Sequence, residues 1–262
     1  MAGHKNLVLT LCRVSISTAA MVCLEAGRSF NLLFRPSGVS PMIFDDRIQA
    51  AELLAQRLEP YRGQNPLVLA IPRGAVPMGR VIADALEGDL DVVLVHKLSA
   101  PLQPELAIGS VSEAGDVYLG DLVEQLGVGQ EYIDAEVKRE LEMLRRRRAR
   151  YTPVRKPMSA RDRMAIVVDN GIATGWTMLA ALRAVRPQQP KKLVAALAVA
   201  PPRTLSKMEA EADEIVCLAT PEDFFAVGQF FRDFRQITDE EVVELLQKAP
   251  AVKMARPSRG MG

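Results

Sequence analysis

At 262 residues the chain can bury a substantial core without disulfide or metal staples. Its formal net charge of +1 gives no global attraction to nucleic acid or to a membrane surface. Three widely spaced cysteines, Cys12, Cys23 and Cys217, form no disulfide or metal pattern and fit a reducing, cytoplasmic compartment, while two histidines nearly exclude a His-rich zinc hydrolase.

Residues 1–41 read as a poorly structured, loosely attached extension. Leu7–Leu11 is apolar but Arg13 interrupts it, so no membrane span is predicted. No basic leader with a small-residue cleavage site is well formed either. Met42 stands just before the first orderly pattern, so start-site choice is an equal explanation of the extension. From Asp46 to Leu58, apolar residues at helical spacing predict a helix capped by Asp45 or Asp46. Leu67–Ile71 reads as a strand, Pro72–Ala75 as a turn, Val76–Leu86 as a helix and Leu90–Val95 as a second strand. That is a βαβ unit, and it implies a parallel sheet.

His96–Pro104 reads as a polar loop, and Leu106–Val111 with Asp116–Leu119 as a hairpin. Gln130–Arg150 is a long helix ending in Arg145, Arg146, Arg147, Arg148 and Arg150. A solvated helix end explains that run, since cations suit a helix C-terminus; an electropositive rim for a polyanion is the functional alternative. Strands at Met164–Val168, Leu193–Val199 and Glu214–Cys217 follow, with helices at Trp176–Val185, Pro202–Ala210 and Thr238–Gln247. Thr238 and Glu241 form a capping box for the last. Pro221–Phe234 carries five phenylalanines, more in keeping with packing than with catalysis, and 249–262 reads as a flexible tail. The fold class is therefore α/β: a central, mostly parallel sheet with helices on both faces.

Ligands in such folds sit beyond the carboxyl ends of the strands. Polar residues collect there at Pro72–Gly74, His96–Ser99 and Asp169–Thr177. Thr174, Gly175 and Thr177 offer hydroxyls and amides at a helix N-terminus, the means of holding a phosphate. Gly171 and Gly175 permit close backbone approach. Asp169 is an acceptor for vicinal hydroxyls, or else a turn cap. Arg73 and Lys97 are candidate diphosphate contacts, with a solvated turn arginine as the plain alternative for Arg73. His96 is as well explained by orientation or structure as by acid–base work. Glu105 and Asp116 are weak candidates for loop ordering or metal-water contact. The Gly-Lys-Ser/Thr end of a triphosphate loop and the Gly-x-Gly-x-x-Gly dinucleotide fingerprint are both missing here.

Ile166–Thr177 resembles the 5-phosphoribosyl-1-diphosphate (PRPP) motif of type I phosphoribosyltransferases. Together with Pro72-Arg73-Gly74, Val92–Lys97, Pro104–Gly109 and Pro221–Phe234, it resembles more narrowly the bacterial phosphoribosyltransferases of unassigned acceptor. Met42, Phe44, Asp46 and Arg47 approximate the start of such relatives. The resemblance covers 42–248 and implies a small hood at 221–237 and a mobile flap at 97–119. It implies Mg²⁺-dependent transfer of a phosphoribosyl group from PRPP to an unidentified nitrogen acceptor, with diphosphate release. Asp169 and Asn170 would meet the ribose hydroxyls, and Ala173, Thr174, Gly175, Trp176 and Thr177 would form the 5-phosphate loop. Arg73, Gly74 and Lys97 would meet the diphosphate, in a loop where relatives use a strained or cis non-proline peptide. The magnesium would be held by PRPP and water rather than by a protein cage, and a homodimer is implied. Three residues depart from the pattern: Asn170 replaces the second acid, Trp176 fills the variable loop position, and Ala75 stands where relatives have glycine. The methyl of Ala75 requires a negative φ. Asn170 raises a second reading, a non-enzymatic PRPP- or nucleotide-binding regulator.

Overall fold

The structure, a computed structural model, describes residues 43–247 and the backbone strands 21–25 and 28–32. Those two strands, β1 (Met21–Glu25) and β2 (Arg28–Leu32), pair antiparallel at one edge of the main sheet. They lie within the stretch read as a poorly structured extension. β1 is apolar up to Glu25 and β2 alternates polar and apolar residues, and β2 covers an edge that would otherwise be open. The rest of 1–41 and the 249–262 tail lie outside the described residues.

Helix α1 (Arg47–Arg57) begins as expected, with the Asp46 carboxylate accepting the Gln49 N–H at 2.8 Å. The chain continues through β3 (Leu67–Ala70), α2 (Val76–Ala85) and β4 (Asp89–Val92). A separate antiparallel sheet follows, made of β5 (Val95–Ala100), β6 (Gln103–Ser112) and β7 (Val117–Leu119). Next come α3 (Leu122–Gln125), α4 (Gln130–Tyr151), β8 (Met164–Gly171), α5 (Trp176–Val185) and β9 (Lys192–Val199). The order ends with α6 (Pro202–Ser206), β10 (Glu214–Ala219) and α7 (Asp239–Gln247). The main sheet runs β1-β2-β10-β9-β8-β3-β4, and every pairing in it except β1–β2 is parallel.

Both faces of this sheet are covered, because successive residues of a strand point to opposite sides. Val68, Ala70, Ile166 and Val168 join one core layer with Leu54 of α1, Met78 and Ile82 of α2, and Val242 of α7. Leu67, Leu69, Ala165 and Val167 join the other with Met178 and Leu182 of α5. The predicted capping box of α7 is present: Thr238 N–H donates to Glu241, and Glu241 N–H to the Thr238 hydroxyl.

Among the element boundaries that differ from the sequence reading, two change the layout of the chain. The apolar run Leu90–Val95 is divided between sheets: Val93 N–H bonds Ala70 O, after which Leu94 O is taken by Glu113. From Val92 to Val95 the run is continuously apolar, so nothing marks where its hydrogen-bond partner changes. The helix expected over Pro202–Ala210 stops at Ser206 and gives way to tight turns from Leu205 to Glu211.

Candidate active site

Three loops meet beyond the carboxyl ends of β3, β8 and β9. The register aligns Ala70 with Val168, and Ile71 N–H bonds Val168 O, so the turn at 72–74 lies beside Asp169-Asn170. The Pro72-Arg73 peptide is cis, and Ala75 has φ −84°, as its methyl requires. Gly74 presses on Asn170: a Cβ there would stand 2.4 Å from Asn170 Nδ2. Arg73 is half-exposed, with Nη1 3.8 Å from the Asp239 carboxylate at the start of α7.

The loop from β8 to α5 is fixed on both sides. Ile172 N–H bonds Val199 O, and the Thr204 hydroxyl donates to Ala173 O at 2.7 Å. Gly175 has φ +86°, and a Cβ there would come within 2.8 Å of both Met208 and Thr204, so this position needs glycine twice over. As the N-terminal residue before α5 it offers no side-chain cap, which leaves the first amides of the helix to a ligand. Ala173 and Thr174 are exposed at the tip, and Thr177 is half-buried one residue into the helix. Neither threonine hydroxyl bonds another described residue. Trp176 turns toward the small sheet and packs on Gly120, where a Cβ would lie 2.3 Å from the indole.

Asp169 accepts the Asn170 N–H at 2.8 Å. Its carboxyl keeps some contact with solvent but is ringed by protein, and this desolvation pushes its pKa up to about 7, against that hydrogen bond and Arg47. Asn170 is buried, and its Oδ1 has no hydrogen-bond partner. A buried carbonyl left bare in this way suits a site that takes a hydroxyl.

Arg47 is the component that sequence reasoning did not select as a site residue. It is buried, its guanidinium lies 3.9 Å from the Phe234 ring centre, and Nη1 donates to Arg235 O at 2.9 Å. Its Nη2 lies 3.7 Å from the Cβ position of Gly74, and Asp169 and Asp233 both act on its charge. Burial lowers its pKa, partly offset by Asp233 and Asp169. The segment before it pairs with residues 230–233: Phe44 N–H to Phe230 O, Arg232 N–H to Phe44 O and Asp233 N–H to Asp45 O. Rings of Phe44, Phe231 and Phe234 pack in series at 5.3 and 4.8 Å, so most of the aromatic run is packing, while Phe225 points outward. The only sequence signal for Arg47 was its place in the Met42–Arg47 start.

Lys97 and His96 are not in a loop at the end of a central strand. They lie on β5 of the small sheet, with Lys97 paired to Ser110 and His96 to Val111. His96 Nδ1 stands 2.8 Å from Glu140 of α4, and burial lowers its pKa against the pull of Glu140. That contact ties the small sheet to α4. Asp116 accepts a hydrogen bond from Ser112 and holds the β6–β7 turn.

A family model described as "Phosphoribosyl transferase domain" matches residues 43–235. The chain belongs to the phosphoribosyl transferase family. Two proteins of Mycobacterium tuberculosis, from different strains and both named "Putative phosphoribosyl transferase", are each 42% identical to it over 208 residues. That alignment covers 79% of this chain and 47% of each relative, so the chain spans about half the length of the curated relatives it matches. The crystal structure of TT1426 from Thermus thermophilus is 41% identical, with a TM-score of 0.67, covering 79% of this chain and 98% of that one. The phosphoribosyl transferase domain thus contains all three loops of the crevice and the pairing of 43–47 with 230–235. Among the described residues, no group of three or more His, Cys, Asp or Glu could cage a metal, and no helix is long and apolar enough to cross a membrane.

Proposed function

We propose that the crevice binds PRPP with Mg²⁺ and transfers the phosphoribosyl group to a nitrogen acceptor, releasing diphosphate. The observation that carries this reading is the contact of Gly74 with Asn170, which sets a candidate diphosphate turn beside a candidate ribose pair. The uncapped start of α5 lies at the far end of the same loop. In this reading Thr174, Gly175 and Thr177 hold the 5-phosphate. Asp169 and Asn170 accept the ribose hydroxyls, and Arg73-Gly74 takes the diphosphate. Lys97, on the small sheet, joins the diphosphate when that sheet folds over the crevice. Holding the ribose at one end and the leaving diphosphate at the other orients the bond that breaks and stabilises the departing charge.

The donors present fit a magnesium ion that arrives on the diphosphate: Asp169 is the one carboxylate of the ribose pair, and Mg²⁺ favours substrate phosphates and water over a protein cage. When bound, the ion neutralises diphosphate charge. The test is diphosphate release from PRPP across a panel of nucleobase and amine acceptors. Release with one acceptor class, lost in Asp169→Ala, supports the reading; release with none across the panel contradicts it.

Asn170 favours a second reading, a PRPP- or nucleotide-binding regulator without turnover. A charge-assisted hydrogen bond exceeds a neutral one by about 1 kcal/mol. One missing carboxylate therefore lowers transition-state stabilisation more than ground-state binding. Asn170→Asp separates the two readings: diphosphate release that appears only in this variant favours the regulator.

A further inference from the structure

The end of α4 carries charge that the crevice does not use. An open cleft of about 680 Å³ lies there, lined by Glu113, Arg145, Arg148, Thr152 and Lys156 among others. That volume falls within the range of small-molecule sites. Glu113 is its one carboxylate, and Arg148 already engages it through Nε at 2.7 Å and through Nη2. Arg145 and Lys156 have no charge partner among the described residues.

Of the cleft's own residues, Arg148 buries Nη1 without a hydrogen-bond partner; Arg155, which does not line the cleft, buries Nε and Nη2 in the same way. Asp91 is the nearby buried carboxylate; its two oxygens accept the backbone N–H groups of Val92 and Met158, each at 2.7 Å, while Arg148 and Arg155 both act on its charge. The helix dipole does not absorb the excess. It amounts to about half a negative charge, and the Thr152 hydroxyl already satisfies Arg148 O. On the cleft wall itself Arg145, Arg148 and Lys156 set three cations against the single carboxylate of Glu113, and a compact anion with several oxygens is the partner that set calls for. No aromatic residue lines the cleft, so it has no platform for stacked bases of RNA.

We propose that this cleft is a second anion site, distinct from the crevice, that takes a compact di- or triphosphate chain, free or carried by a nucleotide. Arg148 connects it to the rest of the molecule, since Glu113 stands in the turn between β6 and β7.

The test is calorimetric titration of inorganic triphosphate into the full chain. Arg73→Ala serves as background, to weaken the crevice as a competing site. Binding is expected in that background, and the added pair Arg145→Glu and Lys156→Glu should weaken it roughly tenfold or more. Added salt should weaken it as well. ADP binding as tightly as inorganic diphosphate assigns a free phosphate chain, and tighter ADP binding assigns a nucleotide; both support the site. No binding at millimolar triphosphate, or binding indifferent to the two charge reversals, overturns it. An RNA oligomer captured through Arg145 and Lys156 while triphosphate is not captured overturns it too. The charge-reversed chain with Arg73 intact should keep its melting temperature and its PRPP binding, so failure here is separable from failure of the crevice reading.

Discussion

The loop at 173–177 and the cluster around Arg47 face the same crevice but are built in opposite ways. The loop offers backbone amides and two hydroxyls at an open helix end, and its shape depends on Gly175 having no side chain. The cluster offers buried side chains: Arg47 on Phe234, Asp169 pushed toward neutrality and an unpaired Asn170 carbonyl oxygen. A backbone site is indifferent to pH and intolerant of added volume. A side-chain site is the reverse, since its work depends on which groups are charged.

Added volume should break the loop side hardest. Gly175→Ala combines a left-handed backbone cost of about 1–2 kcal/mol with contacts at 2.8 Å. We expect a lower melting temperature and roughly tenfold or greater loss of PRPP affinity, read by thermal unfolding and calorimetry. A variant of unchanged affinity would show that the loop does not need its present shape.

On the cluster side, Arg47→Met removes a charged hydrogen bond and a cation–π contact, for a loss of about 2–3 kcal/mol in chemical denaturation. It also removes the charge that favours ionised Asp169, so PRPP binding should require a higher pH than in the parent chain.

The pH dependence of Asp169 itself follows from its pKa, raised from 3.8 to about 7. Its protonated form is favoured by folding, so its stabilising contribution is fully present below the unfolded value and is lost as pH rises toward 7. Asp169→Asn should therefore raise stability by about 1–3 kcal/mol at pH 8 and leave it nearly unchanged at pH 4. In the parent chain, PRPP affinity should fall as pH drops below about 7. A pH-independent difference between parent and variant would show that Asp169 titrates normally.

The smallest effect is expected at the arginine run outside both regions. Arg150 pairs with Glu240 where both are largely exposed, so Arg150→Ala should change stability by less than about 1 kcal/mol.

These regions also differed in how openly the sequence declared them. Thr174–Thr177 is contiguous, and a glycine with hydroxyls at a strand-to-helix turn is a local pattern, so the turn before α5 could be read from its own residues. The α/β order of the central strands was likewise carried by apolar runs of strand length. Arg47 and Arg235 are 188 positions apart, and nothing local to either shows that they meet. Lys97 was placed at the end of a central strand because Val92–Val95 is uniformly apolar, whereas the chain leaves the main sheet after Val92. The partner that a strand chooses is a tertiary fact, and composition does not record it.

In the proposed reading the crevice holds PRPP between the loop at 173–177 and the Asp169-Asn170 pair. Calorimetric titration of PRPP with Mg²⁺ into the full chain tests it most directly. The account predicts saturable binding that weakens at least roughly tenfold in a Thr174→Val, Thr177→Val double variant. No saturable binding at millimolar PRPP, or equal binding by the double variant, would contradict it.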